Sequence, residues 1–143
     1  MQLLTKNTDY AVRALIVLAA HEGDYVSARA ISAAQNIPYE FLRKILQTLI
    51  KQKFVVSKEG KTGGVKLGNS PSEIKLEDVI RAFQGEVRFS ECMFRERLCA
   101  NRAECALRHK ITKIEQKVVK EFKGITIAAL LKGITKTHEK KNN

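Results

Sequence analysis

Cys92, Cys99 and Cys105 are the only cysteines of this 143-residue chain, and they fall within fourteen residues of one another. Six residues separate the first pair and five the second. Both gaps exceed the two-residue spacing with which zinc ribbons grip metal, and an odd number of thiols cannot all pair as disulfides. Thiols so placed suit a cofactor held by three sulfurs, with a fourth position open. The other reading is of unligated thiols in a reduced cytosolic protein.

Lys and Arg outnumber Asp and Glu by 26 to 15, a formal net charge of +11. That excess favours a polyanionic partner, double-stranded DNA first, over an acidic small-molecule substrate. No apolar run approaches the roughly 18 residues of a spanning helix, and no signal peptide precedes the first helix, so a cytoplasmic protein is expected. An enzyme is not expected. The three histidines, His21, His109 and His138, stand beside no nucleophile, and the chain has no glycine-rich phosphate loop.

The elements that must carry these residues can be read from apolar spacing. Ala11, Ala14, Leu15 and Leu18 recur at helical intervals between about Thr5 and Ala20, and Gly23-Asp24 breaks the pattern. Ser27 is an N-cap for a short helix through Ala30, Ile31 and Ala34, which the Asn36-Ile37-Pro38 turn closes. In the helix that follows, Leu42, Ile45, Leu46 and Leu49 face inward; Tyr39, Glu40, Arg43, Lys44, Gln47 and Lys51 face water or a partner. Phe54-Val55-Val56 and Gly63-Gly64-Val65-Lys66-Leu67 read as two strands joined by a loop carrying Lys58, Gly60, Lys61 and Thr62. A basic hairpin after a helix-turn-helix is a wing, with the second helix reading the major groove and the hairpin meeting the backbone.

Asn69-Ser70-Pro71-Ser72 is a linker, and Leu76, Val79, Ile80 and Phe83 mark a short helix ending at Gly85. Beyond the cysteines, Leu107, Ile111, Ile114, Val118 and Phe122 form the stripe of a long amphipathic helix. Only the short segment Ile125 to Leu131 follows to cover it, so pairing with a second copy is expected. The fold is therefore read as mainly α: a winged helix-turn-helix with a small β-hairpin wing and a long C-terminal dimerisation helix. Its parts are a DNA-binding domain over 1–68, a linker and short helix over 69–89, a cysteine loop over 90–106, dimerisation helices over 107–133, and a disordered basic tail over 134–143.

Three stretches carry a resemblance: Thr8-Asp9-Tyr10-Ala11-Val12-Arg13-Ala14-Leu15, Phe41-Leu42-Arg43-Lys44-Ile45-Leu46, and Gly60-Lys61-Thr62-Gly63-Gly64-Val65-Lys66-Leu67. With the three cysteines they resemble, in order and separation, the winged-helix transcription regulators of the IscR, NsrR and RirA type. The resemblance implies a homodimer that binds promoter DNA and an iron-sulfur cluster, with two or four irons, held by Cys92, Cys99 and Cys105. Thiolate suits cluster iron, and three protein sulfurs leave one iron site for a weaker donor. NsrR-like members supply an aspartate from the partner subunit's first helix, which Asp9 matches here. IscR-like members supply a histidine just after the third cysteine, and His109 follows Cys105 by four residues instead of three. Glu104 is a third candidate. The sequence departs from the family in two further places: the first cysteine gap is one residue longer than in IscR-like members, and Glu59 stands where an arginine is common. Lys58 and Lys61 can compensate for the DNA contact that arginine would make. A zinc-dependent or cluster-free thiol regulator using the same three cysteines is the alternative.

Overall fold

A computed structural model describes residues 2–89 and 104–141. The element order is α1 (Lys6–Ala20), α2 (Ala28–Gln35), α3 (Tyr39–Lys51), β1 (Val55–Lys58), β2 (Gly64–Leu67), α4 (Leu76–Gln84), α5 (Ala106–Gly124) and α6 (Ile127–Lys141). The mainly helical winged-helix architecture is the one the apolar spacing predicts.

Each boundary has a local chemical cause. Thr5 caps α1 by accepting the Thr8 amide with its hydroxyl, at 3.3 Å. Ser27 caps α2 by accepting from the Ala30 amide at 3.1 Å. Asn36 ends α2 in the left-handed conformation, a region its short polar side chain tolerates. Pro38 then opens α3, where its missing amide proton costs no hydrogen bond. Gly85, at φ 78°, stops α4.

Helix α1 lies at the centre of the fold. Its stripe of Ala11, Ala14, Leu15 and Leu18 is almost completely buried, and α2, α3, β2, α4 and α6 all pack against the helix. From α3, Leu42, Ile45, Leu46 and Leu49 join the same core, as do Val55 and Val65 from the hairpin. The strands pair antiparallel, with Val55 opposite Leu67 and Lys58 opposite Gly64. Val26 adds a third edge through a bridge to Val65, their amides and carbonyls exchanging bonds of 2.8 and 2.9 Å. The hairpin is thereby stitched to the segment leading into α2.

The C-terminal part departs from the expected pattern. Where a short segment and then a disordered tail from residue 134 are predicted, α6 runs unbroken to Lys141. Its first turn is nucleated by tertiary contacts: Ile127 is fully buried, and its amide donates to the Ile74 carbonyl at 3.0 Å. Propagation then costs little, because the following Lys, Thr and Glu residues extend a helix that has already begun. Thr135 and Thr137 direct their hydroxyls onto carbonyls of the preceding turn.

The wing has two adjacent positions with no room for a side chain: Gly63, where a Cβ would strike the Lys58 carbonyl, and Gly64. A Cβ at Gly64 would run into the Val26 carbonyl, and its backbone lies at φ 150°. Gly64→Ala should lower stability by about 1–3 kcal/mol, read as an earlier midpoint in urea unfolding; an unchanged midpoint would mean that the Val26 edge yields.

Candidate nucleic-acid interface and cysteine site

The outer face of α3 carries Glu40, Arg43, Lys44, Gln47 and Lys51, all exposed as the periodicity predicts, while Tyr39 is half-buried. Tyr39 is sheltered by cations. The Arg29 guanidinium, from the first turn of α2, stacks over its ring at 4.8 Å, and Arg43 approaches the same ring at 6.0 Å. Arginine is the cation best suited to such stacking because its planar, weakly hydrated head matches an aromatic face. Glu40 also reaches Arg43, at 3.8 Å, with both side chains mostly in solvent. The pair is weak and easily exchanged for a phosphate or base edge.

Lys44 stands on the far flank of α3. With Asn7, Phe41, Ile45, Thr48, Ala82 and Phe83 it lines a shallow cleft of about 360 Å³ between the start of α1, α3 and α4. On the wing, Lys58, Glu59, Lys61 and Thr62 are all exposed, and a bond of 3.1 Å from the Gly63 amide to the Gly60 carbonyl closes the loop. Lys58 and Lys66 both lie over the ring of Tyr25, at 5.6 and 4.8 Å. Arg29, Tyr25 and Lys66 escape the reading from spacing because their company is made by tertiary contacts; the available signal is an aromatic residue beside each basic element.

The described residues contain part of the cysteine site. Cys92 and Cys99 lie outside them. Cys105 is a free, half-buried thiol at the N-cap position of α5, and its side chain makes no capping hydrogen bond. That thiol is thus available to a ligand. His109 is exposed, and its amide closes the first turn of α5 by donating to the Cys105 carbonyl at 3.1 Å. Glu104 is exposed as well. Asp9 sits in the first turn of α1, where a carboxylate is favoured, and pairs with Arg13 at 2.9 Å, both side chains about half exposed. Among the described residues, no three His, Cys, Asp or Glu side chains of one chain gather as a metal site. The donors present fit the expected set chemically, a free thiol and an accessible carboxylate on separate elements.

Two polar anchors that sequence reasoning misses flank the lead into the cysteine segment. Gln84, the last residue of α4, accepts from the fully buried Thr8 hydroxyl at 2.8 Å and from the Thr5 amide at 3.0 Å, and donates to the Leu3 carbonyl at 2.9 Å. Glu115, buried on α5, accepts the Phe89 amide at 2.8 Å. The start of α1, the end of α4 and the middle of α5 are thus tied around one short stretch of chain.

A helix-turn-helix with a hairpin wing and a cationic outer face defines a DNA-binding winged-helix protein. Residues 4–133 match Rrf2, described as iron-dependent transcriptional regulator, and the chain belongs to that family. It is 31% identical to the transcriptional regulator NsrR of Oceanobacillus iheyensis over 131 residues, covering 90% of this chain and 89% of the relative. The match to NsrR of Bacillus subtilis is 32% over 108 residues, 74% of each chain. Among solved structures, T. potens IscR superposes with a TM-score of 0.71 at 26% identity, covering 92% of this chain and 87% of that one. CymR, described as the global cysteine regulator of B. subtilis, gives 0.76 at 25% identity, with 92% and 98% covered. These relatives are transcription regulators and not enzymes. No helix among the described residues is long and apolar enough to cross a membrane.

Arg43 stands at the border between the Tyr39 ring and open solvent on the reading helix. Arg43→Ala should weaken binding to the cognate operator by about tenfold to a hundredfold while leaving random duplex almost unaffected. Uniform weakening of both in a fluorescence anisotropy titration would assign this side chain to phosphate instead.

Proposed function

We propose that the chain is a homodimeric transcription regulator that binds double-stranded promoter DNA and whose operator affinity is controlled by an iron-sulfur cluster. The observation carrying the DNA part is the outer face of α3 and the wing, where Arg29 and Arg43 flank Tyr39 and Lys58 and Lys66 flank Tyr25. Two such units about 34–36 Å apart would meet successive turns of one duplex face.

Dimer formation is supported by α5. Leu107 is 70% exposed and Ile114 48% exposed, although both belong to the predicted apolar stripe. Helix α6, which follows, packs against α1. A second copy laid along α5 would bury the uncovered part of the stripe.

The cluster would be held by Cys92, Cys99 and Cys105, with Asp9 of the partner subunit as fourth ligand and His109 as the alternative. When bound, it would supply an iron site responsive to iron supply, nitric oxide or redox state. A second reading, a cluster-free thiol regulator, is favoured by the likeness to CymR and by the accessible thiol of Cys105. Anaerobic purification separates them: equimolar iron and acid-labile sulfide with a visible chromophore supports the cluster, whereas colourless protein that stays so after reconstitution supports the thiol.

Cys99→Ala should abolish the chromophore and leave the dimer intact by size-exclusion chromatography with light scattering; full iron retention would remove Cys99 from the ligand set. Asp9→Ala should alter the visible spectrum and speed cluster loss. Because Asp9 and Arg13 form a half-exposed pair worth at most about 0.5 kcal/mol, such a change would report coordination and not unfolding, and an unchanged spectrum would argue for His109.

A further inference from the structure

The outer face of the wing sheet holds an arrangement that goes beyond exposed lysines. Residues opposite one another in a sheet share a face, so the pairs Lys58 with Gly64 and Val56 with Lys66 place both lysines on the side away from the core. Val26, bridged to Val65, points into the core with it, both below 10% exposed. By alternation Tyr25 therefore lies on the outer face, beside Lys66.

Gly64 completes the arrangement. Because its Cβ would strike the Val26 carbonyl, the position carries no side chain, and the surface between Lys58 and Tyr25 is left bare. Lys58 crosses that gap, bringing its ammonium to 5.6 Å from the ring centre, while Lys66 comes to 4.8 Å. The ion pairs among the described residues join Asp9 to Arg13, Glu40 to Arg43, Glu77 to Arg81 and Glu86 to Arg88. None takes Lys58 or Lys66.

We propose that Tyr25 is the platform of a two-lysine phosphate grip, holding the Lys58 and Lys66 ammonium groups against one aromatic ring so that together they clasp the backbone of duplex DNA. This rests on the DNA-binding reading above and adds a positioning residue outside the reading helix. A lysine in solvent must give up rotamer freedom when it contacts a phosphate. The ring restricts that freedom beforehand through attraction of the ammonium to its π face, and leaves the charge open to an anion. The grip is blind to sequence, since phosphates carry none.

The test uses the full-length protein with a 30-base-pair duplex of random sequence, its affinity followed against salt concentration. The slope of log affinity against log salt changes by about 0.9 for each phosphate that the protein no longer neutralises. A Lys58→Met, Lys66→Met double variant should flatten the slope by about 1.8. Tyr25→Leu should flatten it by between about 0.9 and 1.8, with several-fold weaker binding near 100 mM salt, and Tyr25→Phe should match wild type. If the lysine variant flattens the slope but Tyr25→Leu does not, the platform is wrong and the DNA reading stands. Equal loss in Tyr25→Phe and Tyr25→Leu would assign the effect to the hydroxyl and overturn the platform. A wild type without salt-dependent binding would overturn both. Independently of how Tyr25→Leu folds, the ε-methylene protons of Lys58 and Lys66 should resonate upfield in the wild-type NMR spectrum, through the ring current; ordinary lysine shifts would refute the stacking.

Discussion

Close burial of α1 is the constraint from which the arrangement follows. Ala11 and Ala14 are fully buried, and their methyl groups keep the helix slim where neighbouring elements crowd it. Larger residues there would force those elements apart, since interiors pack at near-crystalline density. Leu15 and Leu18, also buried, contribute about 1.5–3 kcal/mol each in apolar burial. The same helix serves the DNA-binding unit on one side and α4 and α6 on another, so the two halves of the chain share one core.

That sharing is reinforced by hydrogen bonds in a buried setting. Thr8 is completely buried and its hydroxyl requires a partner; Gln84 supplies one from the end of α4. Asp9 follows directly, so the candidate carboxylate ligand begins on a turn whose position is set from the far end of the linker helix. Gln84 thereby joins the end of α4 to the first turn of α1 by hydrogen bonds to Thr5 and Thr8.

Much of this is legible from residue spacing because it depends on local rules. Apolar intervals reveal α1, α3 and α4; Ser27, Asn36 and Pro38 mark the ends of α2 and the start of α3; and two β-rich runs around a glycine-bearing loop reveal the wing. What escapes is made by residues far apart in the chain. Nothing local to Gln84 says that it meets Thr8, and nothing near Tyr25 says that two wing lysines share its ring. Helix α6 is cut short for a related reason: its polar second half looks like a tail until Ile127 is seen docked under Ile74, which starts the helix for it. Of the cysteine site, Cys105 is placed at the mouth of α5, and Cys92 and Cys99 lie outside the described residues.

The junction between α5 and α6 has a mechanical consequence. The Leu76 amide donates to the Ile125 carbonyl, the Ile127 amide to Ile74, and the Ala128 amide to Pro71, so α5 is clamped to the body at its C-terminal end. Cys105 stands at the other end, 20 residues before Ile125, a span of about 30 Å at 1.5 Å per residue. Between the two ends α5 is braced again: it packs against α4, and Glu115, ten residues from Cys105, holds the Phe89 amide, so a displacement at the thiol is met about 15 Å away and not at the distant seam.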